Sequence, residues 1–203
     1  MNVADPEKTC GRPAIVACGI LKREIRHIVE ARGWQVDVTF LDSSLHIYLD
    51  RLHTVLTKAL SRSGNRPALL VYGACHPQME DILADAGAAR PPVQNCVELL
   101  LGRKRFSNAL STGAFFLFED WSKRWETISH SYFGSWELMR DVFQDAHTHL
   151  LCIRTPCSGD FTADAEVVSQ RLGLPLVWMD TGLEHLEKTL ETSLEHLISG
   201  ENR

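Results

Sequence analysis

Continuous apolar runs alternate with helix-period segments along most of the chain, and this alternation decides the fold class. Ala68 to Tyr72 lacks any charged or amide side chain, as a strand buried on both faces requires. Pro13 to Cys18, Ala114 to Phe118 and His149 to Ile153 read the same way. Between them, Leu21, Ile25, Ile28 and Val29 recur with a spacing near 3.6, which predicts a helix over Ile20 to Arg32. Gly33 ends it at the usual C-terminal position. Leu45, Leu49, Leu52, Val55, Leu56 and Leu60 form the stripe of a second helix, which Asp42 or Ser43 can cap. Met79 to Ala86 closes at Gly87, Thr162 to Leu172 closes at Gly173, and Leu183 to Leu197 is a last amphipathic helix. Further helices are predicted from Leu99 towards Leu110, over Glu119 to His130 and over Trp136 to Phe143. Trp34 to Phe40, Val93 to Cys96 and Leu174 to Met179 complete the predicted strands.

Strands that alternate with helices pair in parallel, because each return crosses over through a helix. The expected fold is therefore α/β: a mostly parallel, Rossmann-like sheet with helices on both faces. The chain is expected to divide into a disordered leader over 1–12 and a single α/β domain over 13–200, with a mostly helical subdomain or lid at about 102–145.

At 203 residues the chain can bury a core without disulfide staples. Its net charge of -5 opposes nucleic-acid binding, which needs a basic face. The only basic cluster, Gly102 to Arg105, reads as a solvated helix surface. The start of the chain, Met1 to Arg12, is polar, and no run is long enough to span a bilayer. A cytoplasmic setting is expected, and there thiols stay reduced. The six cysteines then read as ligands, catalytic groups or small core residues.

Three of those cysteines sit beside glycine or asparagine, just past a strand-like run. They are Cys18 before Gly19, Cys75 two residues after Gly73, and Cys96 after Asn95. Strand ends are where open α/β sheets gather their functional groups. Small neighbours let a ligand approach the backbone, and a helix N-terminus favours the thiolate. Three thiolates would leave one position of a tetrahedral zinc, or one iron of a four-iron cluster, open to a substrate or a fourth ligand. The plain alternative is three small apolar residues packed at strand ends. Spacing alone slightly favours that alternative.

Other candidates stand near these blocks. His76 adjoins Cys75 and is a possible ligand or proton donor; Glu98 follows Cys96 by two and is a possible acid–base group. Helix capping is the more common role for either position. Asp180, Thr181 and Gly182 form a strand-to-helix turn able to hold an anion. His46 and His53 share a helix face, and His147 and His149 straddle one residue, both patterns that usually belong to core or surface. Phe115, Phe116, Phe118, Trp121, Trp125, Tyr132, Phe133 and Trp136 are a dense aromatic group, fit to line a flat pocket, pack the middle helices or form a dimer interface.

Several blocks together resemble the family known as domain of unknown function 1638. They are Ala17 to Ile25 (ACGILKREI), Leu45-His46, Tyr72 to Pro77 (YGACHP), Asn95 to Glu98 (NCVE), Gly113 to Leu117 and Asp180 to Gly182. The resemblance runs from about Pro13 to Leu190, and its blocks are short but correctly ordered. It implies that Cys18, Cys75 and Cys96 are the family's three block cysteines, and it sets them apart from Cys10, Cys152 and Cys157. Family members occur in anaerobes and methanogens beside corrinoid methyl-transfer systems. That implies a corrinoid protein or methyltransferase as partner, with a corrinoid reached through it. The sequence departs from the common bacterial form at the second block, where His76-Pro77 follows Cys75 in place of Gly-Thr-Gly. A glycine-rich anion loop is not expected there.

The leading expectation is a metal- or iron–sulfur-binding protein, with Cys18, Cys75 and Cys96 as ligands and a small molecule at the open position. His76 and Glu98 would be acid–base groups, with Gly19, Gly73, Asp180, Thr181 and Gly182 bordering the bound group. The alternatives are a non-catalytic accessory module for a corrinoid system and an enzyme with Cys75 as nucleophile.

Overall fold

The computed structural model describes residues 11–133 and 135–199. Most of the expected leader, with Cys10, lies outside the described residues.

The strands are β1 (Ala14–Cys18), β2 (Asp37–Leu41), β3 (Ala68–Val71), β4 (Ala114–Leu117), β5 (His149–Arg154) and β6 (Leu176–Asp180). All pairs are parallel, as the alternation predicts. The strands divide into two three-stranded sheets, ordered β2-β1-β3 and β4-β5-β6, where one sheet was expected. The central strands β1 and β5 are buried almost throughout. Edge strand β6 is half-exposed, which explains its weaker apolar pattern.

The helices of the first half are α1 (Lys22–Arg32), α2 (Leu49–Ser61), α3 (Met79–Ala86), α4 (Cys96–Leu101) and α5 (Arg103–Ser111). Those of the second are α6 (Glu119–Lys123), α7 (Trp125–Phe133), α8 (Trp136–Ala146), α9 (Thr162–Leu172) and α10 (Glu184–Ser199). Gly33, Gly87 and Gly173 end α1, α3 and α9 in the left-handed conformation, as their positions predict. The strand expected over Val93 to Cys96 does not form. Pro91 and Pro92 bring no N–H to a ladder, Val93 N turns back to Pro91 O at 2.9 Å, and Asn95 caps α4. The segment at about 102–145 carries the four helices α5 to α8 and also β4, which pairs with β5.

Side-chain alternation assigns the layers. In β1, Ile15 and Ala17 face one core while Val16 and Cys18 face another; in β3, Leu69 and Val71 part from Leu70 and Tyr72 in the same way. The outer core of the first sheet is filled by Leu52 and Leu56 of α2 and Met79 and Ile82 of α3. Its inner core holds Ile25 and Ile28 of α1, Leu99 to Leu101 of α4 and Ile153 of β5, so the two sheets share it. Helix α10 starts after the last strand of the second sheet yet packs on α4 and β3 of the first half. Its Leu186, Leu190 and Leu194 are buried in the shared core. Leu190→Ala is expected to cost about 2–5 kcal/mol of unfolding free energy, the range for a fully buried leucine. Urea unfolding measures it, and a loss below about 1 kcal/mol would show that α10 does not close the shared core.

Candidate functional site

Strands β1 and β3 are parallel neighbours with Ala17 opposite Val71. One residue further on, Cys18 and Tyr72 stand side by side at the carboxyl ends, both facing the outer core. The chain leaves β3 through Tyr72 and Gly73 towards Cys75. A Cβ on Gly73 would meet Gln94 O at 2.2 Å and Asn95 Cα at 2.3 Å. Ala74 N donates to Gln94 O at 2.8 Å, which locks the Cys75 loop onto the loop before α4. Asn95 Oδ1 then accepts from Val97 N at 3.0 Å and Glu98 N at 2.9 Å, so α4 starts with Cys96. A backbone contact open only to glycine thus delivers Cys75 and Cys96 to Cys18.

The three thiols line one cavity of about 320 Å³. His46, Phe116, Phe118 and Trp121 supply its aromatic walls. The His46 and Trp121 rings stack with centroids 5.0 Å apart and planes at 9°. Trp121 Nε1 donates to Ser43 Oγ at 3.2 Å, and Ser43 in turn donates to Asp120. Burial holds His46 below the ordinary imidazole pKa, so it is neutral at pH 7 and available as an acceptor.

The thiols behave as one unit. A hydrogen bond with Cys96 pulls the Cys18 pKa down against the opposing cost of burial. Cys96 is pushed well up, first by its bond to Cys18 and then by burial. Burial, followed by the Cys18 charge, pushes Cys75 up to about 11. Cys18 therefore loses the first proton, and Cys75 and Cys96 keep theirs. Burial and the Cys18 charge also raise the Tyr72 phenol, so it stays protonated. Its hydroxyl is buried next to Cys18 but has no partner of hydrogen-bond geometry among the described residues. An unmet donor beside a sulfur cluster is suited to a ligand or a thiolate. Among the described residues, no group of three His, Cys, Asp or Glu side chains stands as a ready metal cage.

The other expected residues divide. Gly19 adjoins Cys18, and a Cβ there would meet Leu41 O at 2.7 Å. His76 faces away from the thiol cavity: its Nδ1 accepts from Gln78 N at 3.0 Å and its ring lies against His53. Glu98 is buried and engaged, accepting from Gln94 N, one residue before the Asn95 cap, at 2.7 Å and from Arg103 Nε at 3.0 Å. Asp180 pairs with Arg154 at 2.8 Å, and Thr181 Oγ1 accepts from Arg105 at 2.8 Å. The Asp180–Gly182 turn is not part of the thiol cavity's lining. Neither are Cys152, buried in β5, and Cys157, in the loop after β5. His46, His147 and Tyr72 are the site residues that sequence patterns did not single out as functional. Tyr72 stands only inside a family block, and His46 and His147 otherwise only in histidine pairs of core or surface pattern.

Two outcomes follow from this geometry. Gly73→Ala drives a methyl group into backbone atoms, so it is expected to cost more than about 3 kcal/mol in urea unfolding. A near-neutral result would mean that the two loops do not touch. Cys96→Ala removes the main stabiliser of the Cys18 thiolate and leaves burial opposed only by the smaller effects of the Ile20 backbone and Tyr72. Thiolate absorbance followed against pH should then show the first deprotonation moving upward, above the ordinary thiol value of about 8.5.

Comparison with known proteins adds three findings. No curated protein matches the chain. Among solved structures it is similar to a protein from Xanthomonas campestris pv. campestris, described as a candidate hydrolase of the alpha/beta superfamily, at 14% identity and a TM-score of 0.28, over 93% of this chain and 99% of that one. The family profile described as Protein of unknown function (DUF1638) matches residues 40–190, which include Cys75, Cys96, His46 and Tyr72. The chain belongs to the DUF1638 family.

Proposed function

We propose that Cys18, Cys75 and Cys96 hold a soft metal centre, zinc or an iron–sulfur cluster, that takes a small molecule at an open position. The observation that supports this reading is the convergence of three thiols, from three separate segments, on one aromatic-walled cavity beside an unpartnered Tyr72 hydroxyl. Soft thiolate sets select such metals. The bound group would supply an electrophilic or redox-active open position.

The chain's own residues do the rest. Cys18 is the most readily ionised of the three, whereas burial makes Cys75 and Cys96 release their protons less easily. Affinity should therefore rise with pH. Tyr72 donates a hydrogen bond to a thiolate that bears excess charge. Neutral His46, fixed by its stack on Trp121, accepts a proton from the small molecule. The phenylalanine walls keep water out and strengthen both contacts.

A second reading, a metal-free thiol enzyme, is favoured only by the lowered Cys18 pKa, which would make Cys18 the nucleophile. The expected Cys75–His76 version lacks a described contact between the two side chains, and His76 is engaged elsewhere.

The test is protein purified without oxygen, analysed for zinc and iron and titrated with Co²⁺, whose thiolate bands report sulfur ligation. Near-stoichiometric metal is expected. Single Ser substitutions at Cys18, Cys75 and Cys96 should each weaken binding at least about tenfold, with Cys152→Ser unchanged. Wild-type protein that takes up neither Co²⁺ nor a reconstituted cluster would overturn the proposal.

A further inference from the structure

The two sheets leave four edge strands, β2, β3, β4 and β6, and three of them are protected. The edge of β3 is covered by Ala89, whose N–H donates to Ala68 O at 3.0 Å and whose carbonyl accepts from Leu70 N at 2.8 Å. β2 carries Asp37, paired with Arg66, and β6 carries Asp180, paired with Arg154; charges on an edge keep other strands away. β4 has neither cover nor charge: it is Ala114, Phe115, Phe116 and Leu117.

This bare edge opens into the thiol cavity. The Phe116 ring lies against Phe106 of α5, with centroids 5.5 Å apart, and the Phe115 ring lies on the other face of the sheet against Phe143 of α8, at 4.8 Å. Both residues nevertheless line the one cavity, together with Ala114. A space in reach of both faces of a strand runs along its edge. Gly113 O accepts from Thr148 N at 2.9 Å, so across the trans peptide the Ala114 N–H points away from β5. Successive residues of a strand turn their main-chain groups to opposite edges. Phe115 and Leu117 therefore bond to β5, whereas Ala114 and Phe116 aim N–H and C=O at the cavity side. Among the described residues no main-chain hydrogen bond meets them there. Amide groups facing an aromatic-walled cavity require a polar partner.

We propose that the thiol cavity takes a short, extended, apolar peptide, which adds to the bare edge of β4 as a further strand while one end reaches the sulfurs. The proposal rests on the reading above only in that this cavity receives a small molecule; no metal is needed for it. Phe116 N–H donates to a ligand carbonyl, and Phe116 C=O accepts from a ligand N–H. Ala114 and Phe116 stand about 7 Å apart along the strand, at roughly 3.3 Å per residue. The cavity, at about 320 Å³, is near the lower end of small-molecule sites. Both limits suit a peptide of about two or three residues and leave no room for a strand of a partner protein. No Asp, Glu, Lys or Arg lines the cavity, so the ligand's side chains are uncharged and pack on the rings of Phe115 and Phe116.

Amide NMR of isotopically labelled, metal-free full-length protein tests it, with N-acetyl-leucyl-phenylalanine methylamide as the probe. In the free protein the Phe116 amide should exchange with solvent at least about tenfold faster than those of Phe115 and Leu117, which the ladder holds. On titration the Phe116 amide should shift downfield saturably and gain protection, with Phe115 and Leu117 little changed. Methylating the probe's nitrogens one at a time should weaken binding about tenfold or more at the nitrogen that faces Phe116, and less at its neighbour. Bound probe should also slow alkylation of Cys75 by iodoacetamide and leave Cys157 unaffected. A Phe116 amide as protected in the free protein as Phe115 overturns the open edge. Absent binding, or equal binding by every methylated probe, overturns the strand addition. Binding that leaves Cys75 alkylation unchanged overturns the approach to the sulfurs. Metal uptake is measured on separate samples, so a protein that takes up Co²⁺ but no peptide sinks this proposal alone.

Discussion

The site depends on one close backbone crossing. Gly73 lies against Gln94 and Asn95 at separations that no Cβ could share, and Ala74 fixes the crossing with a hydrogen bond to Gln94. Without it, Cys75 and Cys96 would belong to loops free to separate, and the sulfur cavity would have no floor. The crossing also sets where α4 begins. Gln94 gives its carbonyl to Ala74 and its N–H to Glu98, while Asn95 caps the helix. One short segment thus satisfies its polar groups by joining two loops and starting a helix, which is why Glu98 is buried without facing the cavity.

Burial of the sulfur cluster would normally suppress all ionisation. The structure departs from that because the three thiols compete for protons within one low-dielectric space. The Cys18 charge is stabilised by the Cys96 proton and raises the cost of charging Cys75, Cys96 and Tyr72. Once one negative charge is held among proton-bearing neighbours, further protons leave most readily to an arriving cation. The Tyr72 hydroxyl, which has no partner of strict hydrogen-bond geometry among the described residues, lies next to Cys18, the thiol of the three that ionises first.

The fold was largely legible because its signals are local. Glycines at helix ends and uniformly apolar central strands fix Gly33, Gly87, Gly173, β1 and β3 without tertiary information. The division into two sheets was not legible, since strand partners are chosen by three-dimensional packing and both sheets show the same run of residues. The cysteine trio was legible as strand-end thiols, yet its convergence rests on Gly73, whose role is a contact with Gln94 and Asn95 far along the chain rather than a turn of its own. His76 and Glu98 were drawn to the site by sequence adjacency. Adjacent residues diverge in direction, so each found a neighbour elsewhere, His53 for one and Arg103 for the other. His46 entered by packing on Trp121, a pairing 75 positions apart that no local pattern can reveal.

The cavity's place follows from topology. In the first sheet the chain steps from central β1 to β2 on one side and then returns to β3 on the other. Crossovers on opposite sides leave a crevice beyond the carboxyl end of β1, where the loops part. Cys18 ends β1 and the Cys75 loop follows β3, so both flank that crevice by construction. The second sheet supplies what the first lacks. Phe115 and Phe116 of β4, with Phe118 and Trp121 after it, roof the opening with aromatic surface. Helix α10, docked on α4 and β3, holds the two halves together around the shared core. Sulfur from one half and aromatic cover from the other therefore meet only in the assembled fold, and a change that loosens α10 should disturb the cavity before it unfolds either sheet.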